Sequence, residues 1–336
     1  ASTGAVVERE VIRAMMLLRL KTMASGHTGV RREVVLGYAA MLNAGITPIT
    51  GEYGSLGCSG DLAPLAHAAL ALTGEGIVRD KAGTQMPAAE ALAAAGLEPI
   101  TLREKEGLAL INGTDGMLGQ LILALTDLDT LVTTADLTTA MTVQALCGID
   151  AVFAPDLQAL RPHEGQKLSA ANIAALLKDS PLIQAGKSEE SKRVQDAYSL
   201  RCAPQVTGAV RDTMAHAAHV AQVELVSAID NPAVTDDLRV ESNGNFHGAP
   251  VAYVLDFLAI AVADLASMSE RRTDRMLDPA RSRGLNAFLA NDPGVDSGYM
   301  IAQYTQASIV SELKRLAVPA SADSIPTSAM QEDHVS

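Results

Sequence analysis

The sequence predicts a mainly α-helical protein, a bundle of long helices with functional loops between them. Three observations carry that expectation. Hydrophobic residues make up 48 % of the chain but aromatics only 3 %, with no Trp, so the apolar mass is Ala, Leu, Val, Ile and Met. Ala and Leu favour helix, and small Ala side chains let helices approach closely. Apolar residues also recur at helical spacing over several long segments. Finally, residues 44–60 break that spacing with five glycines and one proline, which marks loop.

Taken in order, residues 5–24 and 30–43 show helical apolar spacing, and an apolar helix-like run follows the loop over 61–72. Short helices are expected near 88–95 and 103–111, and a long one over about 115–146. Residues 179–205 lack a clean period and are rich in polar groups, so they read as a long ordered loop. A further long helix fits 206–229 and ends before Asp230-Asn231-Pro232. A short strand-like hairpin is expected at 238–248, then long helices at about 250–277 and 296–317. There is no internal repeat, linker or low-complexity tract. The 336-residue length by itself points to about two domains. The chain opens at Ala1 without Met and ends at His334-Val335-Ser336 without a terminating segment, so it reads as part of a longer polypeptide.

Charge and cysteine usage narrow the function. A formal net charge of −13 repels phosphate backbones and argues against a nucleic-acid partner. The three cysteines, Cys58, Cys147 and Cys202, show no paired spacing, which points to a reducing, cytoplasmic compartment. The most apolar stretch, 250–263, contains Asp256, is followed by Asp264, and reads as too short and too charged for a membrane span. No signal peptide is visible.

The first segment with chemical content runs Gly54-Ser55-Leu56-Gly57-Cys58-Ser59-Gly60-Asp61-Leu62-Ala63-Pro64-Leu65. Glycines before a helix can cradle phosphate, but the Lys of a phosphate-binding loop is missing. A hydrolase nucleophile pattern fails because Asp61 stands where a second glycine is needed. A plain loop remains open. So does a sharper reading from the order small residue, Ser, Gly. Attack of the Gly60 amide nitrogen on the Cys58 carbonyl carbon closes a five-membered ring, and glycine suits that approach because it has no Cβ. Loss of water from the ring and of the Ser59 hydroxyl leaves an exocyclic methylidene, an electrophile no ordinary side chain supplies. Asp61 could cap the following helix or assist proton transfers, and the helix N-terminus places positive potential nearby.

Four other segments stand out. Leu110-Ile111-Asn112-Gly113-Thr114 is, by itself, a turn or helix cap. In Val194-Gln195-Asp196-Ala197-Tyr198-Ser199-Leu200-Arg201-Cys202, a polar surface with one weak ion pair is the plain reading. The other is a guanidinium fork for a carboxylate at Arg201. Ser242-Asn243-Gly244-Asn245-Phe246-His247-Gly248 holds one of only four Phe residues, either a core Phe beside a turn or a site residue. Ser328-Ala329-Met330-Gln331-Glu332-Asp333-His334-Val335-Ser336 reads as a solvated polar run in isolation, yet a carboxylate there can accept from an imidazole or an amine. His216 and His219, three apart, lack a third ligand and read as packing residues rather than a metal site.

Together these segments resemble the aromatic amino-acid ammonia-lyases, in order and over essentially the whole chain. The family's usual signature is Ala-Ser-Gly followed by Asp-Leu-Ala-Pro-Leu; here Cys58 replaces Ala, which leaves the ring closure untouched. The resemblance implies that Cys58, Ser59 and Gly60 form the prosthetic group 4-methylidene-imidazol-5-one (MIO) autocatalytically, with no external cofactor and no metal. It further implies that Asn112, Gln195 and Tyr198 lie near MIO and substrate, that Arg201 binds the substrate carboxylate, and that Phe246 lines the site. Ala197 replaces the family's usual Pro and removes no functional group. Phenylalanine- and tyrosine-specific members carry Gln-Asp where this chain has Gln331-Glu332-Asp333, so Glu332 points to the histidine-specific branch. The expected reaction is L-histidine to trans-urocanate and ammonia.

The implied fold is that of the ammonia-lyase superfamily shared with fumarase and aspartase. Residues 1–112 would be the MIO-bearing part of an N-terminal domain and 113–336 the central long-helix bundle, both incomplete. Homotetramers are expected, with each active site assembled from three subunits. The family's base is a Tyr in a Tyr-Gly-x-Asn-Thr-Gly loop, and a Ser-His pair reads the imidazole; both are expected upstream of Ala1. Two alternatives stay open. A phenylalanine or tyrosine ammonia-lyase or aminomutase would be favoured by Gln in place of Glu332. A catalytically silent oligomeric scaffold is the other, because the expected base is not on this chain.

Overall fold

The computed structural model describes residues 2–55, 57, 60–188 and 193–335; Cys58 and Ser59 lie outside the described residues. The chain is 59 % helical, so the mainly α expectation holds. In chain order the elements are β1 (Thr3–Val6), α1 (Arg9–Ala24), α2 (Arg32–Asn43), β2 (Thr47–Pro48), β3 (Gly51–Tyr53), α3 (Leu62–Leu72), β4 (Ile77–Arg79), β5 (Gln85–Pro87), α4 (Ala88–Ala94), α5 (Glu106–Ile111) and α6 (Asp115–Ala145). Then come α7 (Pro155–Ala159), α8 (Glu164–Leu177), α9 (Pro181–Ala185), α10 (Tyr198–Arg201), α11 (Ala203–Val226), β6 (Ala233–Val234), β7 (Val240–Glu241), α12 (Ala249–Leu277) and α13 (Met300–Leu316). Single 3₁₀ turns at Asp150–Phe153, Ala287–Leu289 and Ser328–Met330 punctuate the later loops.

Two compact units emerge: Ala1–Ala124 with Ala218–Tyr253 and Ala320–Ser336, and Leu125–Ala217 with Val254–Pro319. Neither is contiguous in sequence, because α6, α11 and α12 each have residues in both. This grouping differs from the single division at residue 112 read from the sequence.

In the first unit, Ile12, Met15, Met16 and Met23 of α1 pack with Val34, Tyr38 and Met41 of α2 and Leu65, Ala68 and Leu72 of α3. Their three-and-four spacing puts each set on one helix face. Small antiparallel sheets edge this core: β1 with β3, β2 with β4 and β5, and β6 with β7. In the second unit, Val143 and Leu146 pack with Phe153, Ile173, Leu177, Ile183 and Leu200. A further cluster joins Val132, Ala135, Val210 and Leu265.

Several elements depart from the sequence expectation. The first helix starts at Arg9, because residues 3–6 pair with β3 instead; apolar spacing does not register a strand that short. Residues 179–205 are not one loop. Ser180 caps α9 by accepting from Ile183 N at 3.4 Å, α10 covers 198–201, and α11 starts at Ala203. The hairpin pairs Ala233 with Glu241 and Val234 with Val240, so it lies N-terminal to the expected 238–248. Helices α7 and α8 fill a stretch to which sequence spacing assigns nothing.

The stretch 250–263, read as too short to span a membrane, belongs to a longer helix. Among the described residues, Ala249–Leu277 and the helical span Glu106–Ala145 are each long and apolar enough by composition to cross one. In the second of these, 56 % of the apolar window is buried inside the fold, as a core helix would be, against 28 % in the first. On α13 only Val310 is buried, while Ile301, Tyr304, Ile309 and Leu316 are exposed.

One buried carboxylate anchors the start of α5. Glu106 Oε1 accepts from Arg31 N at 3.1 Å and Arg31 Nε at 2.8 Å; Oε2 accepts from Arg31 Nη2 at 2.8 Å and Arg103 N at 2.7 Å. The Arg31 fork, ahead of the backbone donors and against burial, holds this carboxyl down at about 2. A depressed pKa adds stability above the unfolded value, and that stability is lost as pH falls from about 4.5 through about 2. Glu106→Gln should therefore lose about 2 kcal/mol of unfolding free energy at neutral pH, allowing for a partly exposed Arg31. Urea unfolding of both proteins along an acid titration checks this; a deficit that does not shrink toward the acid end would refute it.

Candidate functional site

The site begins where the glycine-rich loop enters α3. Asp61 is buried and stands at the N-cap of α3, yet its side chain does not cap that helix. Oδ2 accepts instead from Gly116 N at 2.7 Å and Met117 N at 3.0 Å, the opening amides of α6, and Oδ1 accepts from Ser55 Oγ at 2.5 Å. Burial pushes the carboxyl up to about 6, while the bonds from Ser55, Met117 and Gly116 pull it down. The loop is thereby tied to the first turn of the longest helix.

Gly60 has φ +82°, and a Cβ there would lie 2.9 Å from the Gly113 carbonyl oxygen. Its amide donates to Gly57 O at 3.0 Å, and the next amide, Asp61 N, donates to Gly113 O at 2.7 Å. A Cβ on Gly248 would lie 2.5 Å from Gly57 O. Main chain at Gly60 thus lies against Gly113, and main chain at Gly57 against Gly248, with Met117 alongside. That close backbone cradle suits a five-membered ring built from main-chain atoms, since a Cβ at Gly60 or Gly248 would collide with it. A cavity of about 170 Å³ adjoins it, bordered by Ser55, Asp61, Pro64 and Met117.

Asn112 is 7 % exposed at the C-cap of α5. Its Nδ2 donates to Asn231 O at 2.8 Å, and its own carbonyl accepts from Arg19 Nη1 at 2.7 Å. Asn231 Oδ1 accepts from Asn243 N at 3.0 Å, and Asn243 Nδ2 donates to Asp230 O at 3.0 Å. The second and fourth sequence motifs are therefore wired together through residues 230–231. Phe246 is half-buried in a turn. His247 stacks on His334, with centroids 5.7 Å apart and planes within 10°, which joins the fourth motif to the fifth. His247 Nε2 and Glu332 Oε2 are both buried with no hydrogen-bond partner among the described residues.

The second unit carries Gln195, Tyr198 and Arg201. Asp196, buried between them, accepts from Ile149 N at 2.7 Å and pairs with Arg193. Its carbonyl takes Arg201 Nε at 2.9 Å, and the Arg201 guanidinium sits 4.7 Å from the Tyr198 ring centroid. This aims the guanidinium, while its Nη nitrogens make no hydrogen bond among the described residues. Tyr198 is 68 % exposed and Gln195 is exposed too. The larger cavities of this unit, about 350 Å³ near Leu131, Leu265 and Val310, hold none of the motif residues. His216 and His219 lie on α11, and the described residues contain no group of three His, Cys, Asp or Glu side chains arranged for a metal. Cys147 and Cys202 are free thiols.

Sequence reasoning missed Arg19, Asp230 and Lys105. Arg19 donates from Nη2 to Ile229 O at 2.6 Å, and Lys105 pairs with Asp230. The one signal in the sequence was Arg19 itself, a guanidinium on the apolar face of α1.

Comparison with known proteins bears on the family and the fold. The aromatic amino acid lyase pattern matches residues 1–336. The chain is 68 % identical to a histidine ammonia-lyase of Streptomyces coelicolor over 336 residues, all of this chain and 65 % of that protein. The chain thus spans about 65 % of the length of such curated relatives. Among solved structures, a histidine ammonia-lyase from Trypanosoma cruzi superposes with TM-score 0.90 at 42 % identity, covering 100 % of this chain and 63 % of that one. A tyrosine aminomutase from Streptomyces globisporus superposes with TM-score 0.91 at 40 % identity, covering 100 % and 66 %. With the pattern matched from end to end and the fold shared with solved members, this chain belongs to the aromatic amino acid lyase family.

Proposed function

We propose that the full-length protein is a histidine ammonia-lyase, converting L-histidine to trans-urocanate and ammonia. The observation that carries the substrate class is Glu332, whose buried Oε2 has no partner among the described residues. Such an oxygen accepts from an imidazole N–H or from the substrate ammonium. Fold alone does not choose a substrate, since an aminomutase superposes as well as a histidine ammonia-lyase does. Glu332 and the high identity to histidine ammonia-lyases favour histidine over phenylalanine and tyrosine.

In this reading Cys58, Ser59 and Gly60 form MIO, which when present supplies an electrophile for the substrate amine. The glycine cradle supports its formation. Arg201 grips the carboxylate with its free nitrogens, a contact that positions both Cα and Cβ. Asn112 and Gln195 orient the substrate, Tyr198 assists beside it, and Phe246 packs against it. The elimination removes a proton from Cβ and breaks the Cα–N bond, so a general base is needed. We assign that base to a tyrosine outside residues 1–336, and keep Tyr198 and Tyr53 as the candidates within them. The exposed apolar side chains of α12 and α13, among them Tyr253, Phe257, Tyr304 and Ile309, support association with further copies, in this reading a homotetramer. Free Cys147 and Cys202 support a reducing cytoplasm.

Urocanate formation by the full-length protein tests the whole reading; equal turnover of histidine and phenylalanine would refute the substrate class. Wild-type protein should be lighter by two waters at residues 58–60, and Ser59→Ala should keep full mass and lose turnover. Arg201→Ala should lower kcat/KM by the equivalent of about 2–4 kcal/mol, with Lys rescuing only in part for want of a planar fork. An unchanged kcat/KM would remove Arg201 from the role. Glu332→Gln keeps the shape and removes the charge, and should cut histidine turnover while leaving the thermal unfolding midpoint nearly in place. A variant with wild-type turnover would discount Glu332.

A further inference from the structure

We infer that Arg19 is a positioning residue for this reaction: its buried guanidinium sets the Asn112-Gly113 main chain against which Gly60 and Asp61 are laid. Arg19 is 0 % exposed and sits on α1 among Met15, Met16 and Met23. Desolvating a guanidinium is unfavourable unless its donors are met, and a buried ion pair can often be replaced as a whole by apolar side chains without loss of stability. Packing therefore does not explain an arginine here. Its partners do.

Nη1 donates to Asn112 O at 2.7 Å and lies 3.5 Å from Asp115 Oδ2, while Nη2 donates to Ile229 O at 2.6 Å. One planar fork thus spaces the carbonyls of two segments. Those segments meet again where Asn112 Nδ2 reaches Asn231 O, so Asn112 is held at its main-chain carbonyl and at its side-chain amide. The adjacent Gly113 carbonyl accepts Asp61 N and lies against Gly60. A Cβ on Gly113 would fall 2.5 Å from Arg19 Nη1, so the guanidinium occupies the space a side chain there would need. Among the described residues the Arg19 guanidinium makes its hydrogen bonds to Asn112 and Ile229, so it acts through Asn112 and Gly113.

The inference rests on the reading that residues 58–60 close into MIO and that the full-length protein deaminates histidine. The test uses full-length wild type, Arg19→Lys and Arg19→Met, with three readouts: intact mass of the 58–60 peptide, kcat and KM for L-histidine per folded site, and thermal unfolding. Arg19→Lys keeps the charge but not the spacing of the fork, and is expected to fold. Its kcat should fall on the order of 100-fold, the scale of a misplacement of about 1 Å. KM should stay near wild type, because Arg201 is untouched. Arg19→Met should also close the loop slowly or incompletely, seen as a population that retains the mass of the two waters. A purely structural role would lower the amount of folded protein and leave kcat per folded site unchanged. Wild-type kcat and full ring closure in Arg19→Lys would overturn the inference, whatever Arg19→Met does. A wild-type loop of full mass, or a wild type without turnover, would overturn the underlying reading of the loop and this inference with it.

Discussion

Four amides at the start of an α-helix have no intrahelical partner, and α6 meets that problem with a carboxylate from elsewhere in the chain. Asp61 takes the Gly116 and Met117 amides, and the helix dipole favours its negative charge. Burial works the other way and outweighs these bonds, since the carboxyl is pushed up to about 6. The neighbouring Asp115, also raised by burial, adds a second charge that Arg19 and Lys21 offset. Both the loop and the long helix depend on the Asp61 contact. It ties the end of the glycine-rich loop and the start of α3 to the first turn of α6. That helix then supplies Val132, Ala140 and Val143 to the cores of the second unit.

A second constraint acts on residues 227–231, beyond the end of α11. Lys21 donates to Ser227 O, Arg19 to Ile229 O, Lys105 pairs with Asp230, and Asn112 reaches Asn231 O. Carbonyls past a helix C-terminus attract cations for the reason that amides at an N-terminus attract anions. The first unit is therefore held at its functional end by polar contacts, and elsewhere by the Met- and Leu-rich packing of α1, α2 and α3. Polar contacts fix angles and distances more sharply than apolar packing does, and here they converge on Asn112 and Gly113.

Much of this was legible in the sequence. The long helices were, because residues such as Ile12, Met15, Met16 and Met23 repeat at helical spacing, although α11 ends at Val226, short of the expected 229. The site segments were legible as strings: Cys58-Ser59-Gly60-Asp61, Asn112-Gly113-Thr114, Arg201 and Glu332 each stand in an ordered pattern. Their wiring was not. Nothing in the spacing says that Asp61 caps α6 rather than α3, because the partner amides lie 55 and 56 residues away. Arg19 escaped for the same reason: its acceptors are backbone carbonyls, which every residue type carries. The strand at 3–6 escaped because its pairing with β3 is set by a partner across the fold, not by local alternation. The hairpin was misplaced because two-residue strands leave almost no periodic signal.

The meeting of Gly57, Gly60, Gly113 and Gly248 ties together the ways in which this chain can change. A side chain at position 60 would meet the Gly113 carbonyl and one at 248 the Gly57 carbonyl, while one at 113 would meet Arg19 and Asp115 behind it. A side chain at 60 or 113 therefore shifts the same stretch of main chain. Substitutions there will not add as independent events do, since residues sharing one cavity couple energetically. The cradle therefore drifts, if at all, by concerted replacement. A single-site scan would mark each glycine as indispensable while hiding that they form one object.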